Sequence, residues 1–255
     1  MLIELDRDNR ACLWTLFERY PCLHGVVAAV IEGGMGKVFA DARGEPQVAL
    51  AALDFHLLAG DPLHANVPLL FKQLQPGNVV IAPTPAWRQL VVATYPDALT
   101  VYRREAFQAE QFDADKLRRF SQALPDGFEL RQVRPEEVTQ FATDLAPALI
   151  YNFRSPEEFI TRGVGMGILH QGRFVSGASS AAVGGRKFEI EIHTQPKFRR
   201  RGLARAVAAA LILYGLERGL EACWDAANEP SANLARQLGF HPTGKYEAYR
   251  LKQPV

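Results

Sequence analysis

One stretch of the chain decides the fold: Glu189-Ile-Glu-Ile-His-Thr-Gln-Pro-Lys-Phe-Arg-Arg-Arg-Gly-Leu-Ala204. Apolar and polar residues alternate up to Thr194, which predicts a strand that is buried on one face. A basic loop containing proline follows, and then apolar residues recur at helical spacing, which predicts an amphipathic helix over 202–218. The helical stripe consists of Leu203, Ala206, Val207, Ala210, Leu211 and Tyr214. The stretch therefore predicts a strand, a basic loop and a helix in immediate succession.

The junction of the basic loop and this helix suits a ligand that bears phosphate. The first N–H groups of a helix lack partners within the helix and lie at the positive end of its dipole. Gly202 and Ala204 have no bulk to hold a pyrophosphate off the backbone, and nearby cationic side chains add donors. These are Lys197, Arg199, Arg200 and Arg201. Taken alone, the pattern Arg199-x-x-Gly202-x-Ala204 fits a solvated basic loop before a core helix equally well.

A second segment, residues 221–240, predicts a strand followed by a short helix. Asn228 is placed to cap the helix at its N-terminus, Pro230 suits its first turn, and Gly239 suits its end. The strand at 221–225 is expected to run parallel to the strand that precedes the basic loop. Asn228 and Ser231 are either simple caps or part of the same ligand site.

The remaining sequence predicts two units that each mix helices and strands. Pro125-Asp-Gly is a strong turn signal, so we place the boundary there, with an N-terminal α/β domain over 1–125 and a second domain over 126–255. Turns and caps in the second unit predict the order βααβββαβαβ. In the first unit, strands are predicted over 25–31, 37–41, 47–58, 79–82 and 99–104, and helices over 9–20, 63–74 and 85–93. A polar, helix-like stretch over 107–124 joins the units, and the fold class is α/β with a mixed sheet.

Composition narrows the class of protein. The chain has 255 residues, is 48% hydrophobic and has a formal net charge of +1, which is typical of a globular protein and argues against a surface built for nucleic acid. With no signal peptide and no run of ~18 apolar residues, we expect a cytoplasmic protein with no membrane partner. The three cysteines and the scattered histidines predict neither a disulfide framework nor a metal site. The oligomeric state is not predicted.

Together the two segments resemble the GNAT superfamily of acyl-CoA N-acyltransferases. Arg199-x-x-Gly202-x-Ala204 is similar to the pyrophosphate motif of that family, Gln/Arg-x-x-Gly-x-Gly/Ala. The run from Trp224 through Asn228-x-x-Ser231 to Leu-Gly-Phe240 is similar to its following motif. It is similar to the subgroup that includes zwittermicin A self-resistance acetyltransferases. The motifs cover about 189–240; the N-terminal half is expected to be a smaller, divergent companion lobe whose likeness to the family stays open.

The resemblance implies an N-acetyltransferase that moves an acetyl group from acetyl-CoA directly to a primary amine of a small molecule or peptide. It also implies two parallel strands that splay apart around acetyl-CoA, and no metal. The predicted cofactor contacts are Ile192, His193, Thr194, Arg199, Arg200, Arg201, Gly202, Leu203, Ala204, Asn228, Ser231, Asn233 and Arg236. Two other interpretations stay open: a non-catalytic CoA-binding or interaction module, and a nucleic-acid-binding patch over 197–205.

Candidate catalytic residues follow from the chemistry. An alkylammonium with a pKa of ~10.4 must lose a proton before it attacks a thioester, so a base is needed near the strand end. Glu189, Glu191 and His193 share one face of the predicted strand; Glu191 is the first candidate base and Glu189 the second. Many relatives have a tyrosine as general acid where this chain has Ala235. Tyr246 or Tyr249 is the candidate substitute, unless the thiolate leaves unassisted.

Overall fold

The computed structural model describes residues 1–252, and within them the strands form one continuous twelve-stranded mixed sheet. The first half contributes β1 (Ile3–Glu4), β2 (Lys37–Ala40), β3 (Val48–Ala52), β4 (Phe55–Gly60), β5 (Val79–Ile81) and β6 (Leu99–Gln108). The second half contributes β7 (Phe128–Gln132), β8 (Gly165–His170), β9 (Arg173–Gly184), β10 (Lys187–Thr194), β11 (Glu221–Ala226) and β12 (His241–Leu251). The order across the sheet is β1-β2-β3-β4-β5-β12-β6-β11-β10-β9-β8-β7.

Helices cover both faces of this sheet. They are α1 (Trp14–Phe17), α2 (His24–Ile31), α3 (Val67–Phe71), α4 (Pro85–Thr94), α5 (Ala114–Gln122), α6 (Val138–Asp144), α7 (Pro156–Arg162), α8 (Leu203–Glu217) and α9 (Glu229–Leu238). Short 3₁₀ segments lie at Arg7–Leu13, Pro135–Glu137, Pro147–Leu149 and Pro196–Phe198. The order βααβββαβαβ that the sequence predicts for the second half is confirmed. The cap predicted at Asn228 is confirmed, since its side chain accepts a backbone N–H at the start of α9, and Ser155 caps α7 in the same way.

The two halves have the same strand order, and they exchange their last strands. β4 and β5 are parallel neighbours in the first half, as β10 and β11 are in the second. β12 of the second half pairs with β5, while β6 of the first half pairs with β11. Because β6 and β12 also pair with each other, the exchange joins the halves into one sheet. The boundary at 125/126 lies in the loop between α5 and β7 and does not divide that sheet.

Residues 25–31, which the sequence analysis assigns to a strand, form helix α2 instead. The run is apolar throughout, and hydrophobic periodicity cannot distinguish a buried strand from a buried helix. All seven residues are buried because α2 packs between the sheet of the first half and strands β9 and β10. The approach is close: a Cβ added to Gly184 would lie 2.0 Å from the Ala28 carbonyl oxygen.

Other element bounds also differ from the predictions. The single strand predicted over 47–58 is two strands, β3 and β4, joined by a tight turn at residues 53–54. The predicted helix over 107–124 is helical only in α5, because residues 107–108 extend strand β6. The predicted helix over 63–74 is reduced to the five residues of α3. In each case a turn lies inside the predicted element, so local propensity alone does not locate the ends of the helix or strand accurately.

Helix α8 is buried beyond its predicted apolar stripe. Ala208, Ala209 and Ile212 are buried as well as the residues of the stripe that face the sheet. The reason is that α5, the helix that links the halves, packs over α8 with Leu117 fully buried between them. The Arg205 guanidinium lies 4.4 Å from the centre of the Phe120 ring of α5. The linking helix therefore covers α8 close to its N-terminus.

Candidate active site

Strands β10 and β11 are neighbours for only part of their length. They pair in parallel over three residue pairs, the last of which joins Glu189 and Cys223. Beyond that pair, β10 stays with β9 as far as Thr194, whereas β11 follows β6 of the first half as far as Ala226. The two strands thus diverge towards their carboxyl ends, as the resemblance implies. The cleft between them is flanked by the starts of α8 and α9.

The backbone in front of α8 leaves the first amides of the helix free. Arg200 and Gly202 have φ angles of 63° and 81°, so the chain turns sharply twice before the helix begins. Gly202 is the N-cap and supplies no side-chain cap. Within the part of the chain that the structure describes, the amides of residues 200–205 have no hydrogen-bond partner. Free amides at a helix start are a binding site for an anion.

A cavity of about 360 Å³ opens at this helix start. Its walls are Thr194, Arg200, Gly202, Ala204, Arg205, Pro230, Leu234 and Gln237. A Cβ added to Gly202 would meet nothing closer than Arg205 Nη2 at 3.9 Å, so the space beside the turn is open. Arg199 Nε donates to the Thr194 carbonyl oxygen at 3.1 Å, which ties the basic loop to the end of β10.

Four of the predicted cofactor residues line this cavity: Thr194, Arg200, Gly202 and Ala204. Ile192 and His193 lie on the diverging part of β10, and Arg199 and Arg201 lie in the loop. Leu203 begins α8 with its side chain buried in the core. The sequence analysis missed Arg205 and three residues of α9. Those three, Pro230, Leu234 and Gln237, have the spacing i, i+4, i+7 of a single helix face, which was the available signal.

Asn228 and Ser231 hold the start of α9. The Asn228 side chain accepts the Ser231 N–H at 3.0 Å, which is the capping contact that the sequence predicts. The Ser231 hydroxyl accepts the indole N–H of Trp224 at 3.2 Å and so ties α9 to β11. Asn228 therefore caps α9 and Ser231 fixes it to β11, beside the cleft between the diverging strands.

Asn233 and Arg236 are not among the residues that line the cavity. Arg236 Nη2 lies 2.6 Å from Glu105 of β6, and its Nη1 lies 3.2 Å from Glu229. Asn233 Oδ1 accepts from Arg236 Nη1 at 3.3 Å. These contacts hold α9 against a strand of the first half, which no pattern in the sequence of the second half indicated.

Glu191 lies on β10, two residues beyond the last pairing with β11. Its side chain is on the face of the strand opposite to that of Thr194, which lines the cavity. One side of the Glu191 side chain is exposed to water, and the walls of the concave cleft surround the rest of it. This partial loss of hydration, together with the charge of Asp54 from the β3–β4 turn, raises the pKa of Glu191 to about 7, and Arg104 opposes the shift. Glu191 thus titrates near neutral pH, which suits a general base.

Glu189, the second candidate base, lies deeper in the protein. It packs under α2, where a Cβ added to Gly25 would lie 2.5 Å from its Oε2 atom. That oxygen has no hydrogen-bond partner among residues 1–252. Burial, with the nearby charges of Asp225 and Asp54, holds the pKa of Glu189 well above its usual range. A carboxyl whose pKa is raised by deep burial is less suited to accept a proton from a substrate than one in an open cleft.

Asp225, Arg104 and Tyr246 meet on one face of three adjacent strands. Arg104 of β6 forms a charge-assisted pair with Asp225 of β11. The Tyr246 hydroxyl of β12 donates to Asp225 Oδ2 at 2.5 Å. Burial, and next the charge of Asp225, raise the pKa of Tyr246. The sequence analysis missed Arg104 and Asp54, because both come from the half in which it found no catalytic signature.

The family model described as GNAT acetyltransferase matches residues 16–249, which include most of both halves. The chain belongs to the GNAT acetyltransferase family. An acyltransferase of this type uses acetyl-CoA. The residues at the start of α8 fit its pyrophosphate, because free backbone amides and Arg200 border the same cavity.

Similar proteins agree with this assignment. An uncharacterized N-acetyltransferase, YdfB, of Bacillus subtilis is 25% identical over 98% of both chains. A GCN5-related N-acetyltransferase-like protein from Streptococcus suis is 32% identical, with a TM-score of 0.86 over 96% of this chain and 99% of that one. A tandem GNAT protein from the clavulanic acid biosynthesis pathway is 13% identical and has a TM-score of 0.60 over 100% and 99% of the two chains. This last likeness concerns the fold, and both halves take part in it.

The general acid that many GNAT enzymes use is missing from its usual place. Ala235 occupies that position and is fully buried in the core between α9 and the sheet. Tyr249 packs in a different core, against α3 and α4, and its hydroxyl donates to Glu247 at 2.6 Å. Of the two tyrosines that the sequence offers as substitutes, only Tyr246 lies with the charged side chains of the cleft.

Metal ions and membranes are two further classes of partner. Within residues 1–252, no three His, Cys, Asp or Glu side chains are grouped so as to hold a metal ion. No helix in the same range has the length and apolar character needed to cross a bilayer. Of the histidines of the first half, His24 contacts the Tyr20 carbonyl oxygen at 2.8 Å and His64 lies 3.5 Å from Asp41.

Proposed function

We propose that this GNAT chain acetylates a primary amine of a small molecule or peptide, with the cleft between β10 and β11 as its active site. The observation that carries the proposal is the set of free amides over residues 200–205, which open into a cavity beside the diverging strands. These amides, with Arg200, would hold the pyrophosphate of acetyl-CoA. The backbone of residues 192–194 would pair with its pantetheine arm, since β10 has no β11 partner there.

Acetyl-CoA, when bound, supplies an activated acetyl thioester; the protein has to deprotonate the acceptor. Glu191 is the proposed base, because it lies in the open cleft and titrates at about pH 7. It takes up the proton that an ammonium acceptor must lose before its nitrogen can attack. Glu189 is the weaker candidate because it lies buried under α2, where burial raises its pKa.

The departing thiolate needs no strong acid. A thiol with a pKa of ~8.5 is a tolerable leaving group near neutral pH, so release without a proton donor is chemically sound. Tyr246 as general acid stays a prediction: its proton already lies in a short hydrogen bond to Asp225. We propose that Tyr246 chiefly positions Asp225 and Arg104, and that the thiolate leaves unassisted.

Finer features of the function also stay predictions. The likeness of residues 224–240 to zwittermicin A self-resistance acetyltransferases supports an amine acceptor of the antibiotic type by analogy only. A cytoplasmic location, the absence of a nucleic-acid partner and the division into domains at residue 125 are predictions from the sequence. A CoA-binding module without turnover is the alternative that an assay for acetyl-CoA-dependent thiol release excludes.

Calorimetric titration with acetyl-CoA tests the proposal. Gly202→Glu places a carboxylate and a strained backbone where the pyrophosphate should lie, and we expect affinity to fall about 100-fold or more, as for the loss of two charge-assisted hydrogen bonds. Gly44→Glu is the matched control, because a Cβ there meets nothing within 4 Å. Equal affinity of the two variants for acetyl-CoA would remove the proposed cofactor site.

A further inference from the structure

A second, larger cavity of about 840 Å³ lies between the two halves. The first half forms one wall with the turn at residues 33–37 and the end of β3. The second half forms the other wall with the loop at residues 151–154, which joins α6 to α7. This size is in the range of pockets that hold small molecules. The acetyl transfer proposed for the cleft between β10 and β11 does not involve this cavity.

The charged side chains that line this cavity are mostly cationic. They are Arg7, Lys37, Arg154, Glu158 and Arg162, so the lining has a formal net charge of +3. The chain as a whole has a net charge of only +1, so this lining is a local concentration of positive charge. A concave surface of one sign attracts ligands of the opposite sign.

Two of the cations are not committed to other partners. Arg154 and Arg162 share Glu158, at 3.0 and 2.7 Å, and Arg162 also donates to the Gly33 carbonyl oxygen at 2.6 Å. Arg7, in contrast, has no hydrogen bond or ion pair with any described residue, and Lys37 reaches only the exposed Glu4, at 3.8 Å. Arg7 and Lys37 are therefore available to a bound anion.

The cavity adjoins the cleft that holds the proposed base. Leu53 lines the cavity, and the next residue, Asp54, is near enough to Glu191 to raise its pKa. Burial raises the pKa of Asp54, and Asn152, which also lines the cavity, opposes that shift through a hydrogen bond. The β3–β4 turn thus separates an acidic region around Glu191 from a basic region around Arg7. A ligand that spans the turn meets carboxylates at one end and cations at the other.

We propose that the cavity between the halves binds an anionic group of the acceptor, so that the substrate is an amine that also carries a carboxylate or a phosphate. The inference rests on the proposed function. The ammonium end lies at Glu191 and Asp54, and the anionic end lies at Arg7 and Lys37. Because the two charged regions come from both halves, the first half takes part in acceptor recognition.

Binding of inorganic phosphate to protein saturated with CoA tests the site without requiring the true acceptor. CoA blocks the amides before α8, so that phosphate can report on the second cavity. We expect Arg7→Gln and Lys37→Gln each to weaken phosphate binding about tenfold, as for one charge-assisted contact. Arg43→Gln should have no effect, because Arg43 lies in the turn at the opposite end of the β2–β3 hairpin. Equal phosphate affinity in Arg7→Gln and Arg43→Gln, or no phosphate binding in the unaltered chain, overturns the proposal.

Acetylation of paired amines then distinguishes the source of the anion. The pairs are glycyl-leucine with glycyl-leucinamide, and glucosamine 6-phosphate with glucosamine; spermidine is a purely cationic contrast. Among the amines that are acetylated, the anionic member should have the higher kcat/KM by about tenfold, and Arg7→Gln should remove that preference. A preference for spermidine or for the members that lack the carboxylate or phosphate contradicts the inference while leaving the acetyltransferase function intact. If none of these amines is acetylated, the phosphate titration decides alone.

Discussion

The two halves of the chain share a strand order, yet only the second keeps an open cleft between its parallel strands. In the second half the strands diverge after Glu189 and Cys223; in the first half the corresponding strands diverge after Leu57 and Ile81. Each half therefore has the backbone arrangement that could admit a CoA thioester. What differs is the set of side chains at the divergence.

Two aromatic side chains fill the divergence in the first half. The Tyr20 hydroxyl bridges the strands, at 3.0 Å from the Leu58 carbonyl oxygen and 3.2 Å from that of Ile81. The indole N–H of Trp87, at the start of α4, donates to the Gly60 carbonyl oxygen at 2.9 Å, and the ring is completely buried. These contacts use backbone carbonyls that a pantetheine would need. The side chains of the first half thus take the place of a ligand.

The proposed base and the basic loop before the helix also have no counterparts in the first half. Two residues beyond the last parallel pair, it has Ala59 where the second half has Glu191. In front of α3 it has Asp61-Pro-Leu-His-Ala, with neither the glycine nor the arginines that precede α8. The topology thus provides a gap between strands in both halves, while a few side chains decide whether that gap binds a cofactor or is filled by the protein itself.

The largest effect is expected when the Trp87 ring, which fills the divergence in the first half, is removed. Trp87→Ala should lower the free energy of unfolding by about 3–5 kcal/mol, because a completely buried indole leaves a cavity and an unpaired Gly60 carbonyl. We expect no second acetyl-CoA site to appear, since α3 has five residues and no basic loop before it. Denaturant unfolding and calorimetric stoichiometry measure the two outcomes.

Trp14→Ala is the control for Trp87→Ala, because Trp14 belongs to the same half, is only half-buried and does not lie between the diverging strands. It should cost less stability and leave one acetyl-CoA bound per chain. Two molecules of acetyl-CoA bound to Trp87→Ala would mean that the first half is merely occluded and retains a cofactor site of its own.

The next largest effect is expected on kcat when Glu191, the proposed base of the second half, is replaced. Glu191→Gln should lower kcat about 10²- to 10³-fold, within the range for loss of a general base, with the affinity for acetyl-CoA unchanged. A base works in its ionised form, so the rate of the unaltered enzyme should rise with pH through about 7, the pKa of Glu191. In the variant that rise should disappear from the pH profile of kcat.

Glu189→Gln is the matched variant on the same strand. Since Glu189 is buried under α2 and is not the proposed base, its replacement should leave the pH profile of kcat in place. Its raised pKa has a consequence for stability: the folded state gains from the bound proton below the normal carboxyl pKa and loses that gain as pH rises towards the raised value. Glu189→Gln should therefore become more stable relative to the unaltered chain as pH increases. If Glu189→Gln abolishes the pH dependence and Glu191→Gln does not, the base assignment is reversed.

Much of the second half could be predicted because its signals are local. The caps of α7 and α9, the turns between β8, β9 and β10, and the small residues before α8 all act within a few residues of sequence. The exchange of β6 and β12 could not be predicted, since the pairing of distant strands leaves no periodic trace. For the same reason Asp54 and Arg104 were missed, although both act on Glu191. Helix α2 was misassigned because its burial comes from both halves.

The smallest effect is expected from replacement of Tyr246, which the exchanged strand β12 brings beside the cleft. The hydroxyl of Tyr246 donates to the buried Asp225 carboxylate, so Tyr246→Phe should lower the free energy of unfolding by about 1–3 kcal/mol. If Tyr246 only positions Asp225 and Arg104, kcat should change much less than in Glu191→Gln, and the pH profile should keep its form. Tyr249→Phe, which removes a hydroxyl from the same strand on the other core, is the control. A drop in kcat for Tyr246→Phe of about 10²-fold or more, with the affinity for acetyl-CoA unchanged, would instead make Tyr246 the general acid.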